Sequence, residues 1–321
     1  MSGIDGNTLL MMHCDDYTDS GPLGLTPAVV GNTPLSDMAK WGKSIQLSGG
    51  AQGLGIDVGA EFNLGADDFT IDWWEYRTAA AQYTGCAVDI PQGADFGLLV
   101  ATPYTNNKLV VMASSLASQW DLLANWEMGT VQAGQWAHRA LVRHGNTFYA
   151  FQNGALYNSI SGKSGALVLG GGKVYIGRRA NGSSMSGYLD EVRISNVARW
   201  TEGFTPPVRP YSVPVAAPSS ISYGTAEAGK TLSVSWTASI DPDGGAATYT
   251  LEQSTDGGTT WEQVATGGSN NHYTAAVPTG KPTICYRVKA SDGTEESGYC
   301  TGAVIGILQD YQGLIVGGGT I

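Results

Sequence analysis

The chain has 321 residues and a formal net charge of -11, with 45 glycines, 9 tryptophans and only 14 % charged residues. This length is enough for two domains. A strongly negative chain is a poor partner for DNA, RNA or an anionic membrane, so we expect no nucleic acid among its partners. Many glycines and tryptophans with few charges are typical of β-sheets joined by tight turns.

We expect neither a secretory signal nor a membrane anchor in this sequence. The first residues lack the basic stretch and apolar core of a secretory signal, and no run of about 18 apolar residues predicts membrane insertion. The 4 cysteines show no metal-ligand spacing, and we expect free thiols. Cys285 and Cys300 lie on neighbouring predicted strands, and the sequence leaves open whether they are bonded.

Short alternating stretches predict strands throughout residues 1–205. In the strand Phe69–Tyr76, alternate residues share a face, so Trp73 belongs to the core face and Asp72, Trp74 and Tyr76 belong to the other. Other strands are predicted at Thr8–Cys14, Lys43–Ser48, Phe96–Ala101, Lys108–Ala113, His138–Arg143, Thr147–Gln152 and Lys173–Ile176.

The stretch 187–207, GYLDEVRISNVARWTEGFTPP, predicts the last strand of this domain and its exit. Its alternation places the neighbours Asp190 and Glu191 on opposite faces. The double proline excludes a helix or a central strand at its end. The stretch therefore closes one β domain.

Residues 206–218 are rich in proline and predict a semi-rigid linker. Residues 219–307 then show short alternating strands of the kind found in an immunoglobulin-like sandwich. They are predicted at Thr231–Trp236, Thr248–Gln253, Thr260–Val264, Thr283–Ala290 and Tyr299–Ile305. Residues 308–321 are an apolar, glycine-rich tail.

Five segments resemble, in order, the concanavalin A-like jelly roll of the laminin G type, in the form found in bacteriophage and prophage structural proteins. They are LLMMHCDDYTDSG, KWGKSIQLSGG, DDFTIDWWEYR, WAHRALVRHGNTFYAFQNGAL and VYIGRRANGSSMSGYLDEVRI. The second domain is similar to fibronectin type III, through Trp236 and the segment YRVKASDG with Tyr286. The expected fold is all-β, with a jelly roll followed by this second sandwich.

The resemblance implies a non-enzymatic virion component of a tail, fibre or capsid surface, with other virion proteins as partners and homo-oligomeric assembly. Its jelly roll would bind a glycan on the bacterial surface. One alternative is an architectural protein that binds only other subunits. Another is a glycan-active enzyme, although the paired glutamates of the family's hydrolases, in the pattern Glu-x-Asp-x-x-Glu, are absent.

Two candidate sites follow. Asp72, Trp74 and Tyr76 share the face that would hold a sugar, because sugar rings stack on aromatics and their hydroxyls bind polar groups; the alternative is that these aromatics are core. A structural calcium would join the acidic turn with Asp15 and Asp19 to Asp190 on the closing strand, an arrangement that the resemblance implies. The alternative is that these acids only cap turns.

Overall fold

The computed structural model describes residues 3–79, 85–92, 96–102, 107–169, 172–241, 246–293 and 295–309. The chain divides into a first compact unit, Ile4–Tyr211, and a second unit that begins at Ser212. Both are built from strands, which confirms the all-β prediction. In the described part of the chain, no helix is long and apolar enough to cross a membrane.

The first unit contains fifteen described strands and one short 3-10 helix, Ala60–Phe62. In chain order the strands are β1 (Thr8–Met12), β2 (Pro27–Val30), β3 (Leu35–Ser36), β4 (Ser44–Ser48), β5 (Gly53–Asp57), β6 (Phe69–Arg77), β7 (Gly85–Gln92), β8 (Phe96–Thr102), β9 (Lys108–Ala113), β10 (Leu123–Thr130), β11 (Trp136–His144), β12 (Thr147–Gln152), β13 (Ala155–Ile160), β14 (Lys173–Ile176) and β15 (Ser186–Ser195).

These strands form two sheets. The large sheet runs β13-β12-β11-β6-β15-β4-β3, and β1 also pairs with β15. The second sheet runs β10-β9-β8-β7-β14-β5-β2. The side chains of Phe69, Ile71 and Trp73 are fully buried in the core, as the alternation in β6 predicts. The opposite side of the large sheet is called the outer face below.

Several strands were not predicted from the sequence, among them β5, β7, β10 and β13. Strands β5 and β7 are buried along nearly their whole length, so they lack the alternation of buried and exposed residues that reveals a strand. Strand β13 is mostly exposed, which weakens the same signal. Tertiary pairing, and not local pattern, makes these segments strands.

The second unit contains β16 (Ile221–Tyr223), β17 (Ala226–Glu227), β18 (Thr231–Trp236), β19 (Thr248–Ser254), β20 (Glu262–Gly268), β21 (His272–Ala276), β22 (Thr283–Ser291), β23 (Cys300–Thr301) and β24 (Ile305–Leu308). One sheet runs β16-β18-β21, and the other runs β17-β24-β22-β19-β20 with β23 on β22. Trp236 and Tyr286 are buried in the core of this unit. Cys285 and Cys300 are free thiols, and Cys300 lies opposite Val288 instead. Of the predicted tail, residues 310–321 lie outside the described part.

Candidate functional site

Three neighbouring strands, β11, β6 and β15, build the middle of the outer face. Their antiparallel registers align alternate residues into rows that run across the strands. From one end of the face to the other, the rows are Trp136–Tyr76–Tyr188, His138–Trp74–Asp190 and Ala140–Asp72–Arg193. The predicted ligand residues Asp72, Trp74 and Tyr76 therefore occupy three successive rows.

Asp72 lies in a buried ion pair and is not open to a ligand. Its side chain is 0 % exposed, and Arg193 Nε donates to its Oδ1 at 3.0 Å. The Tyr211 hydroxyl also donates to Asp72, and the Arg193 guanidinium lies 3.7 Å from the centre of the Tyr211 ring. Burial raises the pKa of Asp72, but Arg193 and His138 outweigh burial and lower that pKa to about 2.

Trp74 is covered as well, at 6 % exposure. The Lys40 ammonium lies 4.0 Å from the centre of its ring, and the Trp41 ring packs edge-on at 5.7 Å. The His138 ring packs on Trp74 from β11 at 5.2 Å, and burial lowers the pKa of His138 below its ordinary value. In the second row, Trp74 therefore packs against side chains of its own chain and is not open to a ligand.

Only the first row presents aromatic rings to solvent. Trp136, Tyr76 and Tyr188 are each partly exposed, and both neighbouring pairs of ring centres are 5.8 Å apart. Gln46 on β4 lies opposite Tyr188 and is also partly exposed. We call these four residues the aromatic strip. The ring planes are inclined to each other, at 59° for Tyr76 and Trp136 and at 70° for Tyr76 and Tyr188. Neighbouring aromatic rings bordered by an amide and by phenol hydroxyls suit a sugar, whose ring has an apolar face and a polar rim.

A glycine makes the strip continuous across β6 and β15. Gly187 directly precedes Tyr188 and has φ +146°, a conformation that favours glycine. A Cβ built at this position would lie 2.0 Å from the carbonyl oxygen of Tyr76, so any side chain there would force the strands apart. The glycine therefore lets the two tyrosine-bearing strands approach and brings their rings together.

The predicted calcium residues make contacts typical of turn capping. Asp19 Oδ1 accepts from the amides of Met11 and Gly21, both at 2.8 Å, and Asp19 Oδ2 accepts from Leu25. Asp15 accepts from the amide of Lys43. Within the described ranges, no group of three or more His, Cys, Asp or Glu side chains is placed to hold a metal ion. These contacts favour the capping alternative, and the calcium site stays a prediction.

Asp190 is fully buried in the middle row. Its Oδ2 accepts from the amides of Lys40 at 2.7 Å and Trp41 at 3.1 Å, while its Oδ1 is buried without a hydrogen-bond partner among the described residues. Burial is the main cause that raises the pKa of Asp190 to about 7, and the nearby Glu191 raises it further.

The predicted alternation of β15 fails at Glu191. Between Asp190 and Arg193 the pairing with β6 shifts by one residue, a β-bulge, and Glu191 has φ +49°. Strict alternation would place Arg193 and Asp190 on different faces of the sheet. Because of the bulge, both side chains lie on the outer face. The Glu191 carboxylate also lies on this face, where it accepts a hydrogen bond from the backbone amide of Tyr211 and pairs with the His13 ring at 2.7 Å. The expectation of opposite faces for Asp190 and Glu191 was therefore wrong.

Comparison with protein families identifies this architecture. Residues 49–202 match the family model of the concanavalin A-like lectin/glucanases superfamily, of the laminin G type. The first unit has a concanavalin A-like jelly-roll fold. The matched range contains every residue of the aromatic strip except Gln46 on β4. Comparison with curated protein sequences gives no match.

Two solved structures are similar to the chain at low identity. The fourth domain of an extracellular family 43 arabinanase from Geobacillus stearothermophilus, in complex with arabinotriose, is 17 % identical, with 62 % of this chain and 95 % of that domain covered and a TM-score of 0.45. The binding domain of botulinum neurotoxin serotype D is 9 % identical, with 94 % and 93 % covered and a TM-score of 0.49. At these values the similarity carries no conclusion about function.

Of the three predicted ligand residues on the outer face of β6, one, Tyr76, belongs to the aromatic strip. Trp136 and Tyr188 lie on strands far away in sequence, and pairing alone brings them to Tyr76. The usable signal was an aromatic residue at the end of each of three alternating strands. Its interpretation needed the strand register, which the sequence does not supply.

Proposed function

We propose that the jelly roll binds a glycan on the aromatic strip and does so without catalysis. The observation that supports this is the row Trp136–Tyr76–Tyr188, because three partly exposed rings at 5.8 Å spacing offer a surface for a sugar chain. Folding leaves these rings partly exposed, although the adjacent Trp74 is covered. The strip carries no carboxylic acid, whereas glycoside hydrolysis ordinarily needs two carboxyl groups at the scissile bond.

The experiment is a binding measurement on the full chain with a panel of bacterial surface polysaccharides, followed by calorimetric titration of those that bind. Trp136→Ala and Tyr188→Ala should each weaken binding by at least ~5-fold, about 1 kcal/mol, because each removes a stacking surface. Trp261→Ala is the matched control, because Trp261 is a partly exposed tryptophan of the second unit that lies against Arg287.

Melting temperatures within about 2 °C of the wild type would show that the strip variants still fold. Absence of binding to every polysaccharide, or equal binding by wild type and both strip variants, would overturn the proposal. Reducing ends released from the same polysaccharides should stay at the level of buffer alone. Release above that level would favour the enzyme alternative.

We further propose that the chain is a bacteriophage or prophage virion component in which the glycan-binding jelly roll is followed by a fibronectin type III-like domain. The support is the resemblance of the closing segment GYLDEVRISNVARW and of the segment YRVKASDG. Mass spectrometry of particles purified from a lysate of the host bacterium tests this proposal. Absence of the chain from the particle band contradicts it, whereas presence in particles without glycan binding favours the architectural alternative.

A further inference from the structure

A groove of about 400 Å³ lies between β10, at one edge of the second sheet, and the segment that contains β13, at one edge of the large sheet. We call it the edge groove. The residues that matter for its chemistry are Asn125, Trp126, Glu127, Asn158, Ile160 and Lys163. None of them belongs to the aromatic strip. Its volume lies in the range of small-molecule sites.

Both edge strands are irregular where they line the groove. The pairing of β10 with β9 shifts between Leu123 and Trp126, and Asn125 in this bulge has φ +50°. The pairing of β13 with β12 shifts between Asn158 and Leu156. Bulges redirect side chains away from the regular alternation. Here they turn the edges of both sheets into walls of one groove.

Several polar groups of the groove are not used by the fold. The exposed Asn125 carboxamide and the Trp126 indole N–H make no hydrogen bond with the described residues. Asn158 donates to the carbonyl oxygen of Glu127 at 3.0 Å, which leaves its own side-chain oxygen available. Trp126 is partly exposed and rests on the core. The groove thus combines a supported aromatic ring with open amides, as a sugar site does.

The charges in the groove favour an anion. Glu127 is neutralised by Lys108, whose Nζ lies 2.9 Å from its Oε2. Lys163 makes no ion pair with any described residue. Its backbone is held by Asn146, which accepts from the Lys163 amide at 2.9 Å, and by Arg143, which donates to the Lys163 carbonyl at 3.1 Å. Lys163 therefore brings to the groove an ammonium that no described carboxylate neutralises, and Trp126 lines the same groove.

We propose that the edge groove is a second saccharide site and that it takes an acidic sugar of the hexuronate class. The sugar ring lies on Trp126, Asn125 and Asn158 bind its hydroxyls, and Lys163 pairs with its carboxylate. Because the edge groove shares no residue with the aromatic strip, this inference does not rest on glycan binding by the strip. Substitution of strip residues should leave binding in the edge groove unchanged.

The test is calorimetric titration of the full chain, at low salt, with the trisaccharides of galacturonate, glucuronate and mannuronate and with their neutral counterparts. At least one acidic trisaccharide should bind and should exceed its neutral counterpart. Lys163→Gln should weaken that binding by about 10-fold and remove the preference for the acid. Asn125→Gly keeps the left-handed backbone and removes only the amide, so it should weaken acidic and neutral sugars alike.

Lys230→Gln is the charge control, because Lys230 is an exposed lysine of the second unit. Trp136→Ala separates the two sites: binding that it abolishes belongs to the strip, whereas binding that only Lys163→Gln weakens belongs to the edge groove. The inference is overturned if no acidic trisaccharide binds, if acidic and neutral sugars bind equally, or if Lys163→Gln binds like Lys230→Gln.

Discussion

Asp72 and Arg193 face each other across the central strand pair of the jelly roll, with Arg193 Nε 3.0 Å from Asp72 Oδ1 and both side chains at most 1 % exposed. This pair lies on the outer face, outside the core between the two sheets. Tyr211 closes over it from the end of the unit. Tyr211 thus closes the row of Asp72 and Arg193 to a ligand, as Lys40 and Trp41 close the row of Trp74.

The first prediction concerns this ion pair. Asp72→Ala leaves the buried Arg193 without its main anion, and we expect the free energy of unfolding to fall by about 3–5 kcal/mol. Asp37→Ala is the matched control, because Asp37 pairs with Lys43 on the surface at 91 % exposure and its loss should leave the free energy of unfolding nearly unchanged. Denaturant unfolding of the full chain measures both. Equal, small effects would contradict the network described here.

The second prediction concerns the Tyr211 hydroxyl. Tyr211→Phe keeps the ring over Arg193 and the hydrogen bond that the backbone amide of Tyr211 donates to Glu191. It removes the hydrogen bond from the hydroxyl to Asp72. Because the acceptor is a buried carboxylate, we expect a loss of about 1.5–3 kcal/mol. Tyr188→Phe removes a partly exposed hydroxyl and should be nearly neutral in the same urea titration. A neutral Tyr211→Phe would show that Tyr211 contributes only its ring.

The third prediction concerns pH. The carboxyl of Asp190 has an ordinary pKa of 3.8, which we take for the unfolded chain, and a pKa of about 7 in the folded protein. Between these values the folded state holds a proton that the unfolded state has lost. The contribution of Asp190 to stability is therefore complete below about pH 4 and is lost as the pH rises through 7.

Asp190→Asn keeps an acceptor for the amides of Lys40 and Trp41 but carries no charge. We expect it to match the wild type near pH 4 and to be more stable at pH 8, by on the order of 4 kcal/mol. Unfolding free energies of both proteins across this range give the difference curve. A variant that is less stable than the wild type at pH 8 would show that the folded protein tolerates, or needs, the charge.

The fourth prediction concerns calcium at the acidic turn and Asp190. Because backbone amides already bind both oxygens of Asp19 and one oxygen of Asp190, we expect equal melting temperatures in calcium and in chelator. Asp19→Asn should lower the melting temperature in both conditions, since it weakens the hydrogen bonds from backbone amides that hold the turn. A calcium-dependent rise that Asp190→Asn abolishes would instead support the ion site.

Alternation along the chain was enough to predict many of the strands and to assign their faces where no bulge interrupts it. It placed Trp73 in the core and Asp72, Trp74 and Tyr76 together on the other face of β6, because alternation is a local property of an extended chain. It also carried enough of the family pattern to indicate a jelly roll, which the match over residues 49–202 supports.

Which part of that face is open depends on contacts between distant segments of the chain. Tyr211 reaches Asp72 across 139 residues of sequence, and Lys40 and Trp41 cover Trp74 from a loop that precedes β4. The bulge at Glu191 then brings Arg193 onto the same face. Alternation depends on neighbours in sequence, whereas burial depends on segments far away in sequence, so the aromatic strip became visible only after the strands were paired.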